Sequence, residues 1–290
     1  MRARSSTVPE LPEVETVRRG LESHVVGRVI ESVEIGRERS VRRVGRETVA
    51  HLLTGARVLD ARRRGKYLLC SLDTDGERAV MMVHLRMSGR LLLAPVGEPR
   101  PAHAHVVLRL SGAHEELRFV DPRTFGEVVV CEASRIDGVI PEIGRLGPDP
   151  IVDPFDPGIL ASRLARRRIP IKGALLDQGV VAGIGNIYAD EILHRARIKW
   201  DRTASQLSRP TVARLAGTIT EVLRAAIDAG GSTLEDTQYV DMEGEKGSFQ
   251  DFHRVYGRAG QPCLTCGKAV IRRTVSAGRS TVWCPVCQRR

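Results

Sequence analysis

Val14, Val17 and Leu21 recur at helical spacing between residues 12 and 24, which predicts an amphipathic helix near the start of the chain. Pro12 suits its first turn, and Glu13 and Glu15 lie where the positive end of the helix dipole favours anions. From about residue 28 to 131 the period changes to two. The runs RVIESVEIG, GKYLLCSL, AVMMVHL, HAHVVLRL, EELRFV and GEVVVCE are short, β-branched and often alternating. Gly, Asp and Pro separate them, which predicts an antiparallel β-sandwich or barrel. Residues 135 to 157 are rich in proline and glycine and read as a linker. Helical periodicity returns from about 158 to 230, in GILASRLARRR, IKGALLDQ, NIYADEILHRA and RPTVARLAGTITEVLRAAIDAG, and Gly230 and Gly231 close the last helix. Residues 231 to 254 are polar and Gly-rich with weak order signals, and residues 255 to 290 form a separate small unit.

A chain of 290 residues can bury a sizeable core and suggests about two domains. It holds no apolar run long enough to cross a membrane as a helix, and the basic opening MRARSSTV is followed by no apolar stretch of the kind a secretory signal needs. The net charge is +10, and arginines recur in RRVGR, RRRGK, ARRR and IRR rather than in one tail. That distribution points to a polyanion partner, with solubility as the bland alternative. Six cysteines without a signal do not read as a disulfide scaffold. Cys70 and Cys131 lie in apolar strand-like runs and read as inert core thiols.

The other four cysteines carry the strongest local signal. Cys263 and Cys266 form one C-x2-C knuckle, Cys284 and Cys287 another, and 17 residues separate them. Four thiolates so spaced suit one structural Zn2+ in tetrahedral array. The intervening GKAVIRRTVSAGRSTVW can form two strands with a turn near Ala277-Gly278, making a zinc ribbon that the metal largely holds folded. Arg272, Arg273 and Arg279 then ride on a rigid ribbon, either as phosphate contacts or as a solvated face. A second signal is QGVVAGIGNIYADEIL, in which Gly179, Gly183 and Gly185 precede a helix starting near Asn186. It is neither a Walker loop nor a dinucleotide fingerprint. Free backbone N–H groups at that helix N-terminus could receive a phosphate; alternatively, the glycines serve tight packing.

Taken in order, PELPEVE, RRRGKYLL, HLRMSG, DPRTFG, GIGNIYADE, VYGRAGQPC and the four-cysteine ribbon closely resemble bacterial formamidopyrimidine-DNA glycosylases, from Pro9 to about Gln288. The resemblance implies a multidomain α+β protein: an N-terminal antiparallel β-sandwich, a helix-two-turn-helix domain and a C-terminal zinc ribbon, with DNA held in the cleft between. It places a leader at 1–8, the catalytic β-sandwich at 9–134, the linker at 135–157, the helix-two-turn-helix domain with its lesion-capping loop at 158–254, and the ribbon at 255–290. The implied activity is removal of oxidised purines (8-oxoguanine, formamidopyrimidines) from damaged double-stranded DNA, followed by nicking of the abasic site. The implied setting is a monomer in the bacterial cytoplasm, on the nucleoid through its DNA.

The resemblance also assigns residues. Pro9 matches an N-terminal proline nucleophile; as a chain terminus it is a secondary amine with a pKa of about 8, whereas inside a chain it is an amide. Glu10 matches the general acid for the sugar ring oxygen, Lys66 the lysine active in β-elimination, Arg279 the ribbon arginine that holds phosphate and assists δ-elimination, and Glu13 a supporting carboxylate near the sugar. Read alone, Glu10 is also a helix-entry charge and Lys66 a solvated hairpin lysine. Met87, Arg123 and Phe125 match the triad that fills the gap left by the extruded nucleotide, although core packing accounts for Met87 and Phe125 without the family. His103, Arg167, Lys172 and Asn186 match phosphate or lesion-strand contacts. Two departures stand out: Thr124 replaces a second arginine common in relatives, and YVDMEGEKGSFQDF, which matches the capping loop, is unusually acidic.

Pro9 can act only if MRARSSTV is absent from the active protein. Valine's GUG codon also initiates translation, so Val8 as the true start would give Met-Pro-Glu and, after aminopeptidase action, a free Pro9; the alternative is a genuine extension. Competing readings are an endonuclease VIII-like enzyme for oxidised pyrimidines and a non-catalytic DNA-binding protein with Pro9 inside the chain.

Overall fold

The computed structural model describes residues 8–234 and 239–289; most of the expected leader lies outside them. The chain forms two compact units, each assembled from separate stretches. A β unit comprises Glu13–Gly144 and Ser232–Gly247. A helical unit comprises the residues up to Pro12, Arg145–Gly231 and the chain from Ser248 onward.

Helix α1 (Leu11–His24) begins in the helical unit and continues into the β unit. In the β unit follow β1 (Ile30–Ile35), α2 (Arg46–Leu53), β2 (Arg57–Arg64), β3 (Tyr67–Thr74), β4 (Glu77–His84), β5 (Arg90–Pro95), β6 (Ala104–Leu110), β7 (Glu115–Val120) and β8 (Glu127–Glu132). Two antiparallel four-stranded sheets result, in the orders β1-β6-β7-β5 and β2-β3-β4-β8. Their alternating positions supply the core: Leu68, Cys70 and Leu72 of β3, Met81 and Val83 of β4, Leu117 and Phe119 of β7 and Val128 and Val130 of β8 form one buried cluster with Val14, Val17 and Leu21 of α1. The short helices α3 (Ile136–Val139) and α4 (Pro141–Gly144) end the unit's first segment.

Its second segment departs from expectation. The weak order signals of 231–254 and its match to a flexible loop do not survive at 239–247: Tyr239 and Met242 are buried in the same core cluster. The Met242 carbonyl accepts the Leu93 amide at 2.8 Å, and Gly20 of α1 gives the Met242 side chain its space, since a Cβ there would lie 2.8 Å from the sulfur. Asp241 closes the turn by accepting the amides of Glu243 and Glu245. Polar composition hid two core residues, Tyr239 and Met242, among acidic turn residues. Residues 235–238 of the wider loop lie outside the described set.

The helical unit holds α5 (Pro157–Leu164), α6 (Ile171–Leu176), α7 (Asn186–Arg195) and α8 (Arg209–Asp228), then the hairpin of β9 (Arg272–Ser276) and β10 (Arg279–Trp283). Gly230 and Gly231, at φ 70° and 81°, stop α8 as expected. Ala277 and Gly278, at φ 48° and 73°, make the hairpin turn. The expected linker is built structure rather than a tether: from Arg145 it docks on 177–182, with Gly147 N–H donating to Gln178 and Ala182 N–H to Pro148. A Cβ on Gly147 would lie 2.7 Å from two carbonyl oxygens, so its glycine serves close approach, not freedom. The sequence reading also missed α2, β2 and β5; four arginines mask the alternation of RVLDARRR, and RLLLAP is too short to show one. Among the described residues no helix is long and apolar enough to cross a membrane.

Candidate active site

In the helical unit, Pro9 and Glu10 are buried on the N-terminus of α7. Glu10 Oε1 accepts the Ile187 amide at 2.8 Å, and Oε2 accepts those of Gly185 at 2.6 Å and Tyr188 at 3.3 Å. These are the N–H groups a helix start leaves unpaired, and they carry the positive end of its dipole. The glycines of GIG make room: a Cβ on Gly185 would lie 2.3 Å from Glu10 Cδ, and one on Gly183 (φ 92°) would lie 2.6 Å from Leu11. The Leu11 amide donates to the Gly183 carbonyl at 3.0 Å, locking the two segments together. The anion at this helix N-terminus is therefore the chain's own carboxylate, which corrects the reading of these amides as a phosphate cradle.

One helical turn further on, α7 grips the ribbon. Lys172 of α6 is 3% exposed. Its Nζ lies 2.7 Å from Asp190 and donates to the Ser280 carbonyl at 2.8 Å and Thr281 Oγ1 at 3.0 Å. Asp190 Oδ2 accepts the Val282 amide at 3.1 Å. Burial lowers the Lys172 pKa and raises that of Asp190, and their ion pair opposes both shifts. Lys172 is thus engaged in holding β10. Arg279, first residue of that strand, is exposed and makes no ion pair among the described residues. Glu191, also buried, accepts the amides of Arg254, Val255 and Tyr256 at 2.8–3.0 Å and so fixes the entry to the ribbon. Arg167 pairs with Asp177 at 2.9 Å and remains partly exposed; Asn186 opens α7.

The four ribbon cysteines converge, with all Sγ atoms within 4.8 Å of one another. A tetrahedron with Zn–S bonds of about 2.3 Å has edges of about 3.8 Å. The Cys263–Cys287 and Cys266–Cys284 sulfur pairs both stand 3.8 Å apart. The residues fit one structural zinc, and with all four positions filled by protein the site is closed to catalysis.

In the β unit the expected DNA-facing residues gather around one buried carboxylate. Asp121 Oδ1 accepts Ser88 Oγ and the Arg123 amide, and Oδ2 accepts the Gly126 amide at 2.7 Å. Its own amide donates to the His103 carbonyl at 2.9 Å. Met87, on the turn between β4 and β5, is thereby tied to Arg123 and Phe125. Phe125 is 40% exposed, and the Arg123 guanidinium lies 5.1 Å from its ring centre. Lys66 lies in the β2–β3 turn. That turn is stapled by the buried Arg63, which pairs with Glu15 of α1 at 2.9 Å and donates to the Gly65 carbonyl at 2.9 Å. Glu13 accepts the Ser232 amide at 2.7 Å and the Tyr239 hydroxyl donates to its carbonyl, so Glu13 holds Ser232 and Tyr239.

Residues 8–128 match the formamidopyrimidine-DNA glycosylase N-terminal domain, 146–238 the formamidopyrimidine-DNA glycosylase H2TH domain, and 260–290 the zinc finger found in FPG and IleRS. The chain belongs to the formamidopyrimidine-DNA glycosylase family. A formamidopyrimidine-DNA glycosylase of Cereibacter sphaeroides is 47% identical, covering 97% of this chain and all of that protein. Among solved structures, the Lactococcus lactis FPG in complex with abasic-site DNA superposes with a TM-score of 0.87 at 37% identity, and a variant of it with Fapy-dG-containing DNA at 0.87 and 36%. Both cover 97% of this chain and 100% of theirs.

The sequence reading missed several groups that hold its candidate residues in place. Pro9 and Glu10 meet the GIG helix, and Met87, Arg123, Phe125 and His103 share one surface. Asp121, Arg63 with Glu15, Asp190 and Glu191 were overlooked. The available signal was the acidic pair in NIYADEIL, which sits among apolar residues where a solvent-facing pair would not.

Proposed function

We propose that this chain is a bifunctional DNA glycosylase and AP lyase that excises oxidised purines from double-stranded DNA through the amine of Pro9 and cleaves the strand by β,δ-elimination. The observation that carries the reading is the Pro9–Glu10 segment clamped on α7, in a chain matching the glycosylase family along nearly its whole length. With Pro9 as chain terminus, its nitrogen lone pair attacks C1′ of the damaged nucleotide, and the base leaves with the electrons of its glycosidic bond. The Glu10 carboxylate takes the proton that the attacking Pro9 amine sheds and passes it to the sugar ring oxygen. The ring C–O bond opens and a C1′ iminium forms. The iminium acidifies C2′, whose proton is removed as the 3′ phosphate leaves; a second elimination expels the 5′ phosphate, and water releases the sugar remnant from Pro9.

Lys66 acts in the first elimination and faces the lesion, Arg279 holds phosphate for the second, and Glu13 supports the site. Met87, Arg123 and Phe125 fill the space left by the extruded nucleotide, because C1′ cannot be reached in a stacked duplex. His103, Arg167, Lys172 and Asn186 contact phosphates or the lesion strand, and Lys172 also positions the strand that carries Arg279. Catalysis through Pro9 requires a form of the protein in which Pro9 is the chain terminus. The chain works as a monomer on the nucleoid, in the bacterial cytoplasm.

The test is a duplex carrying one oxidised purine, run beside one carrying an oxidised pyrimidine. Release of the purine, with a one-nucleotide gap bearing phosphate at both ends, is the expected result. Preferential release of the pyrimidine moves the reading to an endonuclease VIII-like enzyme. Tight binding without release, by protein beginning at Pro9, contradicts it.

A further inference from the structure

His194 occupies the last turn of α7, is buried, and points Nε2 at Cys263 Sγ across 3.7 Å. Its Nδ1 is also buried and has no hydrogen-bond partner among the described residues. A neutral imidazole has one N–H, and a metal-bound thiolate can only accept. The proton therefore belongs on Nε2, where it has a partner, and not on Nδ1, where it would be orphaned. Backbone amides within the ribbon also donate to its sulfurs, as that of Cys287 does to Cys284 at 3.4 Å. His194 differs in coming from α7, outside the ribbon.

We infer that His194 is an outer-sphere donor to the zinc site, giving its Nε2–H to the Cys263 thiolate. Four thiolates around one Zn2+ carry a net charge of −2, and Cys263 is buried, so its sulfur cannot draw on water to disperse that charge. The imidazole N–H takes that part. It withdraws charge from the sulfur, which becomes a poorer target for a competing chelator. It also ties the first zinc knuckle to the helix whose opposite end holds Glu10, so metal retention depends on a side chain outside the ribbon. Partners of this kind typically change metal affinity about 10- to 100-fold.

The direct test is nitrogen NMR on the zinc-loaded full chain with 15N-labelled histidine. The Nε2–H tautomer is expected for His194, with scalar coupling between that proton and 113Cd when cadmium replaces zinc. An Nδ1–H tautomer overturns the inference, whatever the variants do. The second arm is chelator competition for zinc. His194→Phe, which keeps a ring but no donor, should bind zinc about tenfold or more weakly. His194→Gln, which keeps a side-chain N–H, should recover most of that loss. Zinc affinity within twofold of the parent in His194→Phe, or equal losses in both variants, would mean the ring only packs there.

Discussion

At the scale of single residues, the site depends on absent side chains as much as on present ones. Gly185 has no Cβ where one would lie 2.3 Å from the Glu10 carboxyl carbon. Gly185→Ala must push Glu10 off the amides of Ile187 and Tyr188, at a cost of about 1–3 kcal/mol by the scale of overpacking. Base excision should fall by orders of magnitude while zinc content stays at one per chain; single-turnover excision beside metal analysis checks it, and unchanged excision would remove Glu10 from the chemistry. Asp121 is the counterpart in the β unit. Asp121→Ala leaves the buried amide of Gly126 without its acceptor, at about 1–3 kcal/mol, and frees the Met87 turn from Arg123. Affinity for a damaged duplex should drop more than affinity for an undamaged one, because only the former needs the extrusion gap filled. Equal losses in a binding titration would assign Asp121 to folding alone.

At the scale of elements, α7 does four jobs in 10 residues. Its first amides hold Glu10, Asp190 and Lys172 hold β10, Glu191 holds the 254–256 entry, and His194 meets Cys263. Ile187, Tyr188, Ile192 and Leu193 made the helix itself legible. Its acidic pair was not, because Asp190 and Glu191 serve amides 92 and 63–65 residues away, and periodicity reports only what is local. The zinc knuckles were fully readable since their spacing is local and their chemistry unambiguous. The segment 239–247 failed in the opposite sense: only Tyr239 and Met242 enter the core, too few for any pattern. Cys284→Ser should release the zinc, loosen β10 and carry Arg279 out of place, abolishing DNA binding while the β unit keeps its thermal transition. Elemental analysis and calorimetry test this; binding that survives without zinc would show the ribbon to be dispensable.

For the whole molecule, charge and catalysis are the collective properties. The net charge of +10 was legible as a polyanion signal, and Arg279 and Arg123 are exposed on separate units to use it. Log affinity should fall against log salt with a slope of about −0.9 for each phosphate neutralised, and Arg279→Ala should flatten it by about 1. A flat dependence in the parent would return the charge to solubility. The central claim, that the N-terminal amine of Pro9 is the nucleophile, is tested most directly by borohydride trapping. Two proteins are compared on one damaged duplex, one beginning at Met1 and one in which Met-Pro processing exposes Pro9. The account predicts a covalent protein–DNA adduct, mapped to Pro9, only from the second. Equal trapping by both, with residues 1–8 confirmed intact by mass spectrometry, would contradict it and hand the chemistry to another amine.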